Sequence, residues 1–214
     1  MRKLSASLRE RTENVHKRAE LTGIIRDMLN DRVTLDGYQL YLRNLYEIYS
    51  TLELCGQWPE SVATLGQFIP PELCRAHAIA SDLGHLQGSD WQSDIPVLAS
   101  ATAYRDRIER LARESSNAEL VAHAYVRYLG DLSGGQLLVQ RLGRCPGLAA
   151  EQMSFYKFER ISDLQGAKRR FRQALDEFGT VTADPEQVLG EAKRAFELNI
   201  ELSIEVKEYT ESGA

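Results

Sequence analysis

Three stretches of this chain carry residue types at spacings that could do chemistry. The first is Tyr125-Val126-Arg127-Tyr128-Leu129-Gly130-Asp131-Leu132-Ser133-Gly134-Gly135-Gln136, where a carboxylate stands among three glycines between segments that read as helix. Each glycine costs a helix interior about 1 kcal/mol against alanine, so three together need a reason. One reading makes Gly130 a left-handed helix end, with Asp131 or Ser133 capping the next helix. The other is a kinked helix whose backbone approaches a flat ligand so closely that a Cβ would collide. The second stretch, Glu13-x-x-His16, has the spacing of carboxylate-bridged di-iron bundles. Those need a second such pair and two more glutamates, and Asp82-x-x-His85 alone comes near, so that chemistry is set aside. The third is Lys168-Arg169-Arg170-Phe171-Arg172, the one concentrated basic run. Lys168 and Arg172 share a helix face and could bind carboxylates, or simply be solvated.

Helices must position these groups. Ser7-Leu8-Arg9-Glu10 fits a capping box, and Leu8, Val15 and Ala19 follow at helical spacing, with Ile25 and Met28 continuing the pattern. His16 lies mid-helix and by itself reads as an ordinary surface histidine. Asn30 to Val33 is a turn, and Thr34 opens a tyrosine-rich helix to about Leu54 with Leu35, Tyr38, Leu42, Leu45, Tyr49 and Leu52 inward. A short helix is expected near Glu60 to Leu65. Further helices are expected from Pro71 to Leu86, Leu98 to Glu114, Ser162 to Gly179, and from Asp184-Pro185 to Tyr209. No alternation long enough for a sheet occurs. Residues 1–214 read as one all-α domain.

Composition narrows the function classes. A net charge of -5 gives no case for nucleic-acid binding. Cys55, Cys74 and Cys145 are few, distant and odd in number, which suits a reducing cytoplasm rather than a disulfide framework. No signal-peptide core and no apolar run of membrane-spanning length is present, and the polar C-terminus offers no tail anchor. No phosphate-binding glycine loop, zinc spacing or nucleophile elbow occurs.

The glycine-rich string closely resembles the distal-helix signature of the haem oxygenase family, in its soluble bacterial form. The resemblance runs from about Leu8 to about Val206. It implies an all-α fold with haem held between a proximal helix and a kinked distal helix. Leu8 to Glu20 resembles the proximal helix, with His16 at the position of the axial iron ligand and Glu20 at that of its carboxylate partner. Gly130, Gly134 and Gly135 match the glycines beside the porphyrin. Asp131 matches the carboxylate that orders water near bound dioxygen, and Tyr49, Arg127, Tyr128 and Asn199 match its polar partners. Val126 stands where relatives often carry threonine. Lys168 and Arg172, assisted by Arg9, match residues that bind the propionates, and Phe196 matches an apolar residue against the macrocycle. Glu13 replaces a lysine found in relatives.

The implied activity is haem oxygenase. Haem b is both cofactor and substrate, cleaved at a meso carbon (α, from the propionate seating) to biliverdin, carbon monoxide and ferrous iron. Asp131 would deliver a proton through water. Dioxygen and an external electron donor, a ferredoxin or a flavoprotein reductase, are implied because the chain has no flavin or nicotinamide site. No nucleic-acid or membrane partner is expected, and the protein is expected to be monomeric. A non-catalytic haem carrier or sensor on the same scaffold is the alternative, and Asp131 speaks against it.

Overall fold

A computed structural model describes residues 3–213; Met1, Arg2 and Ala214, which the sequence reading included, lie outside it. Among the described residues there are helices and no strands: α1 (Leu4–Glu20), α2 (Gly23–Leu29), α3 (Leu35–Cys55), α4 (Pro59–Leu65), α5 (Ala76–Gln87), α6 (Trp91–Asp94), α7 (Ala99–Arg113), α8 (Asn117–Ala124), a π-helical turn (Tyr125–Leu129), α9 (Gly130–Leu142), α10 (Leu164–Val181) and α11 (Pro185–Ser212). Two short 3-10 turns, Ala150–Gln152 and Ser154–Tyr156, bridge α9 and α10. The all-α expectation holds.

The ends with local chemistry form where the residues demand them. Thr34 caps α3 by accepting from the Gly37 amide at 3.1 Å. Asp184 caps α11 ahead of Pro185, accepting from the Glu186 amide at 3.0 Å. Other ends are set by tertiary contact, and there the sequence expectation fails. Helix α1 begins at Leu4, so Ser7 lies inside it rather than at its cap. Its first turn is held from outside, by the Ser5 amide donating to Asp176 of α10 at 2.9 Å. The first helical pattern also breaks at Leu21 and Thr22. Gly23 sits at φ +55° with Ser203 of α11 so close that a Cβ would fall 2.1 Å from its carbonyl oxygen. Pro71 opens a turn instead, and α5 starts only at Ala76.

Helix α11 is the central pillar, packing on α1, α2, α3, α7 and α8, while α3 packs on α5 and α7. Leu8, Met28, Leu42, Leu45, Ile48, Leu52 and Val188 are fully buried between them. Each fully buried side chain of this size contributes roughly 1.5–3 kcal/mol before conformational entropy is counted. Helix α1 rests on α10 and α11, and α9 on α2, α10 and the π turn, with no extended packing between α1 and α9. No helix among the described residues is long and apolar enough to cross a membrane.

Candidate functional site

The glycine-rich stretch is neither a capped break nor a bend at the glycines. Gly130 is right-handed helical, at φ -60° and ψ -53°, and α9 runs through all three glycines. The irregularity lies one turn earlier, in the π-helical turn Tyr125–Leu129. Such a turn inserts a residue into the helical register and re-aims the side chains around it. Here Arg127, Tyr128 and Asp131 all point inward and are buried. A methyl group added at Gly130 or Gly134 would meet no atom within 4 Å. These glycines therefore leave a bare stretch of backbone that the rest of the chain does not fill. Gly135 looks elsewhere, because its Cβ position lies 3.5 Å from the Tyr156 ring.

Beneath that bare face lies a buried polar cluster. The Tyr49 hydroxyl donates to Asp131 Oδ2 across α3 and α9, in a short hydrogen bond. Arg127 donates from Nε to the Tyr49 oxygen at 3.0 Å and from Nη1 to Asn199 Oδ1 on α11, and its Nη2 stands 3.9 Å from Asp131 Oδ1. Its guanidinium also lies 5.0 Å from the Tyr49 ring centre. Asp131 is 9 % exposed and Arg127 7 %. Burial raises the Asp131 carboxyl above its usual range, while the Arg127 charge and the Tyr49 hydroxyl pull the other way. Burial likewise drives the Tyr49 phenol well above 10, so it stays a donor.

Four of the expected polar residues therefore meet: Tyr49, Arg127, Asp131 and Asn199. Tyr128 is displaced from them, donating instead to Glu53 Oε1 at 3.1 Å. Glu53 also accepts from the Arg75 and Ala76 amides at 2.5 and 3.1 Å, forming a second buried cluster that the sequence reading missed. Tyr41 is buried beside Arg127 as well. Val126 is buried without a polar group to offer.

On α1, the His16 side chain is 52 % exposed, with Nε2 3.6 Å from Glu20 Oε1 and its ring edge-on to Phe196 of α11 at 5.4 Å. Arg9 and Arg172 lie near enough to Tyr125 for their charges to act on its phenol. Burial raises that phenol, and a hydrogen bond from Thr12 and the two guanidinium charges oppose the rise. Arg169 pairs with Asp163 at 3.3 Å, whereas Lys168 and Arg172 form no ion pair among the described residues. Asp82 is committed to the Ser154 and Phe155 amides at 2.9 and 2.8 Å. No group of three or more His, Cys, Asp and Glu side chains is placed to hold a metal ion among the described residues.

These residues fit a flat, anionic, iron-bearing ring. His16 offers an exposed imidazole on α1, α9 offers glycine backbone that no described residue covers, and Lys168 and Arg172 on α10 have no ion pair among the described residues.

Comparison with known proteins agrees with that geometry. The family model described as "Heme oxygenase" matches residues 2–205. "Heme oxygenase 1" of the cyanobacterium Synechocystis is 33% identical over 204 residues, 95% of this chain and 85% of the relative. "Heme oxygenase 1" of Homo sapiens is 36% identical over 208 residues, 96% of this chain and 72% of the relative. The crystal structure of the Synechocystis heme oxygenase-1 in complex with heme superposes with a TM-score of 0.91 at 32% identity, covering 99% of this chain and 96% of that one.

Proposed function

The chain belongs to the heme oxygenase family, and from that premise we propose that it cleaves haem at the α-meso carbon to biliverdin, carbon monoxide and ferrous iron. The observation that carries the reading is Asp131, buried and held by Tyr49 and Arg127 on the same helix as the uncovered backbone of Gly130 and Gly134.

When bound, haem supplies the iron that activates dioxygen and the carbon that is oxidised. The chain does the rest. His16 would offer a ring nitrogen to the iron, with Glu20 Oε1 standing 3.6 Å from its Nε2. Phe196 limits rotation of the His16 ring by edge contact. Gly130 and Gly134, bare of side chains, would let α9 backbone approach a flat ring. Asp131, its carboxyl raised by burial, would hold water and move a proton at that carboxylate. Arg127 keeps the carboxylate from rotating away. Lys168, Arg172 and Arg9 would seat the propionates and so favour one meso position.

Electrons come from a separate ferredoxin or flavoprotein reductase. Three free cysteines, two of them buried, suit the reducing cytoplasm in which we place a monomeric enzyme. The test is to add haem and record the absorption spectrum, then supply reductant and air. A bilin spectrum replacing the haem bands supports the reading. A stable haem spectrum through repeated reduction would make the protein a carrier.

A further inference from the structure

The helices that face the proposed haem, α1 and α9, have no extended packing on each other, and the chain that follows α1 meets α9 through α2. The turn after α2 fastens that meeting. Asp31 stands in it at φ +58°, a left-handed backbone that aspartate tolerates better than most side chains. Its Oδ2 accepts from two arginines at the far end of α9. Arg141, in the last turn of the helix, donates from Nη1 at 3.1 Å, and Arg144, just beyond it, donates from Nη1 at 2.7 Å.

The turn is itself footed on α11. Asp27 is buried, with Oδ2 accepting from Lys207 at 2.5 Å and Oδ1 from Arg32 at 3.3 Å, while its carbonyl accepts from the Arg32 amide at 2.8 Å. Helix α9 is thus tied at both ends, with bare glycine backbone near its start. At that start Tyr49 holds Asp131, and at its close Asp31 holds the two arginines. The two ties differ in their access to solvent. The first is buried, whereas the Asp31 side chain is 31 % exposed and that of Arg144 60 %. Added salt screens exposed pairs and leaves buried ones largely alone. The close of α9 is therefore the tie that can loosen without global unfolding. Leu142 is fully buried there, and the Cys145 thiol donates to the Val33 carbonyl at 3.4 Å, so the end stays packed when the charges let go.

We infer that Asp31, Arg141 and Arg144 form a clasp that holds α9 over the site and slows haem entry and release in a salt-dependent way. The inference rests on the proposed function only for the identity of the ligand under α9.

The test compares the full chain with Asp31→Asn, because asparagine also tolerates the left-handed turn but carries no charge. In the ligand-free protein, hydrogen exchange of the α9 amides should quicken about three- to fivefold in the variant. With haem bound, its transfer to an excess of an apo-globin should quicken by about the same factor. Raising the salt concentration should bring wild type toward the variant and leave the variant little changed. In an Arg141→Gln, Arg144→Gln background, Asp31→Asn should add nothing further. Loosening that persists in that background belongs to the turn alone and would overturn the clasp. Exchange and transfer that match wild type in Asp31→Asn, or an equal salt dependence in both proteins, would overturn it as well. So would faster α9 exchange with unchanged haem transfer. Faster α9 exchange in Asp31→Asn, when even wild type takes up no haem, would uphold the clasp and overturn the oxygenase reading instead.

Discussion

Tyr49 and Asp131 are 82 residues apart in the chain, yet the phenol donates directly to the carboxylate, and Arg127 holds the same phenol from its other side at 3.0 Å. The carboxylate so fixed sits where α9 exposes uncovered backbone at Gly130 and Gly134. A helix cap needs none of this. A carboxylate that must keep one orientation beside a reacting ligand needs all of it, and the predictions below separate those roles.

His16 is half exposed, and its contacts are the neighbouring Glu20 and an edge-on approach to Phe196. His16→Ala should therefore leave the unfolding free energy within about 0.5 kcal/mol of wild type. Haem should still bind through apolar contacts and the propionates, but the histidine-ligated spectrum and turnover should be lost and then restored by imidazole. An unchanged spectrum in the variant would assign the iron to another residue.

Gly134 offers a sharper contrast than the sequence allowed. Since a side chain there meets nothing and the backbone is helical, Gly134→Leu should stabilise the ligand-free protein by up to about 1 kcal/mol. The same leucine should obstruct the ring face and abolish turnover. Calorimetry of the ligand-free variant beside a haem titration checks both halves. Intact activity would remove the glycines from the site.

The basic edge makes a different kind of claim. Lys168→Ala combined with Arg172→Ala should weaken haem binding only modestly, because each exposed pair is worth about 1 kcal/mol or less. Regiochemistry should suffer more, giving several biliverdin isomers on chromatography. A single isomer from the double variant would show that packing alone orients the ring.

Glu191 predicts a feature of acid stability. Burial alone would raise its carboxyl, but hydrogen bonds and charge from His123 and Arg107 outweigh burial and bring it from 4.5 to about 2. A depressed carboxyl stabilises the fold above its unfolded value and loses that contribution as pH falls toward the folded one. Unfolding free energy should therefore drop between about pH 4.5 and 2, by on the order of 3 kcal/mol from this group. Denaturant titrations of Glu191→Gln should lack that part of the slope. An identical acid limb in the variant would mean that the carboxyl is not depressed.

Much of this was legible where the physics is local. Thr34 and Asp184-Pro185 marked helix starts that the structure keeps, because a side chain a few residues away satisfies the free amides. The glycine string pointed to a bare helix face for a related reason, since missing side chains are visible in the letters. What stayed hidden depends on distant chain. The start of α1 is set by Asp176, and the break at Gly23 by Ser203. The π turn is a matter of backbone register, which no residue type announces. The same holds for Tyr128, assigned to the Asp131 cluster by its position in the string but drawn to Glu53 by α3 and the Arg75 turn. His123 did carry a signal, a histidine within the apolar run Leu120-Val121-Ala122-His123-Ala124, which marks a buried imidazole with partners elsewhere.

The most direct test of the account compares wild type with Asp131→Ala, each loaded with haem and given reductant and air, with bilin quantified after extraction. Loss of the carboxylate should cost the ligand-free fold about 1–3 kcal/mol, from the bonds it leaves unmade, without preventing folding. Haem should bind with its His16-dependent spectrum intact. Wild type should yield one bilin per haem, and Asp131→Ala should fall at least a hundredfold in rate, with Asp131→Asn between them because an amide still holds water but carries no charge. Bilin formed by Asp131→Ala at the wild-type rate would contradict the account and return Asp131 to a purely structural role.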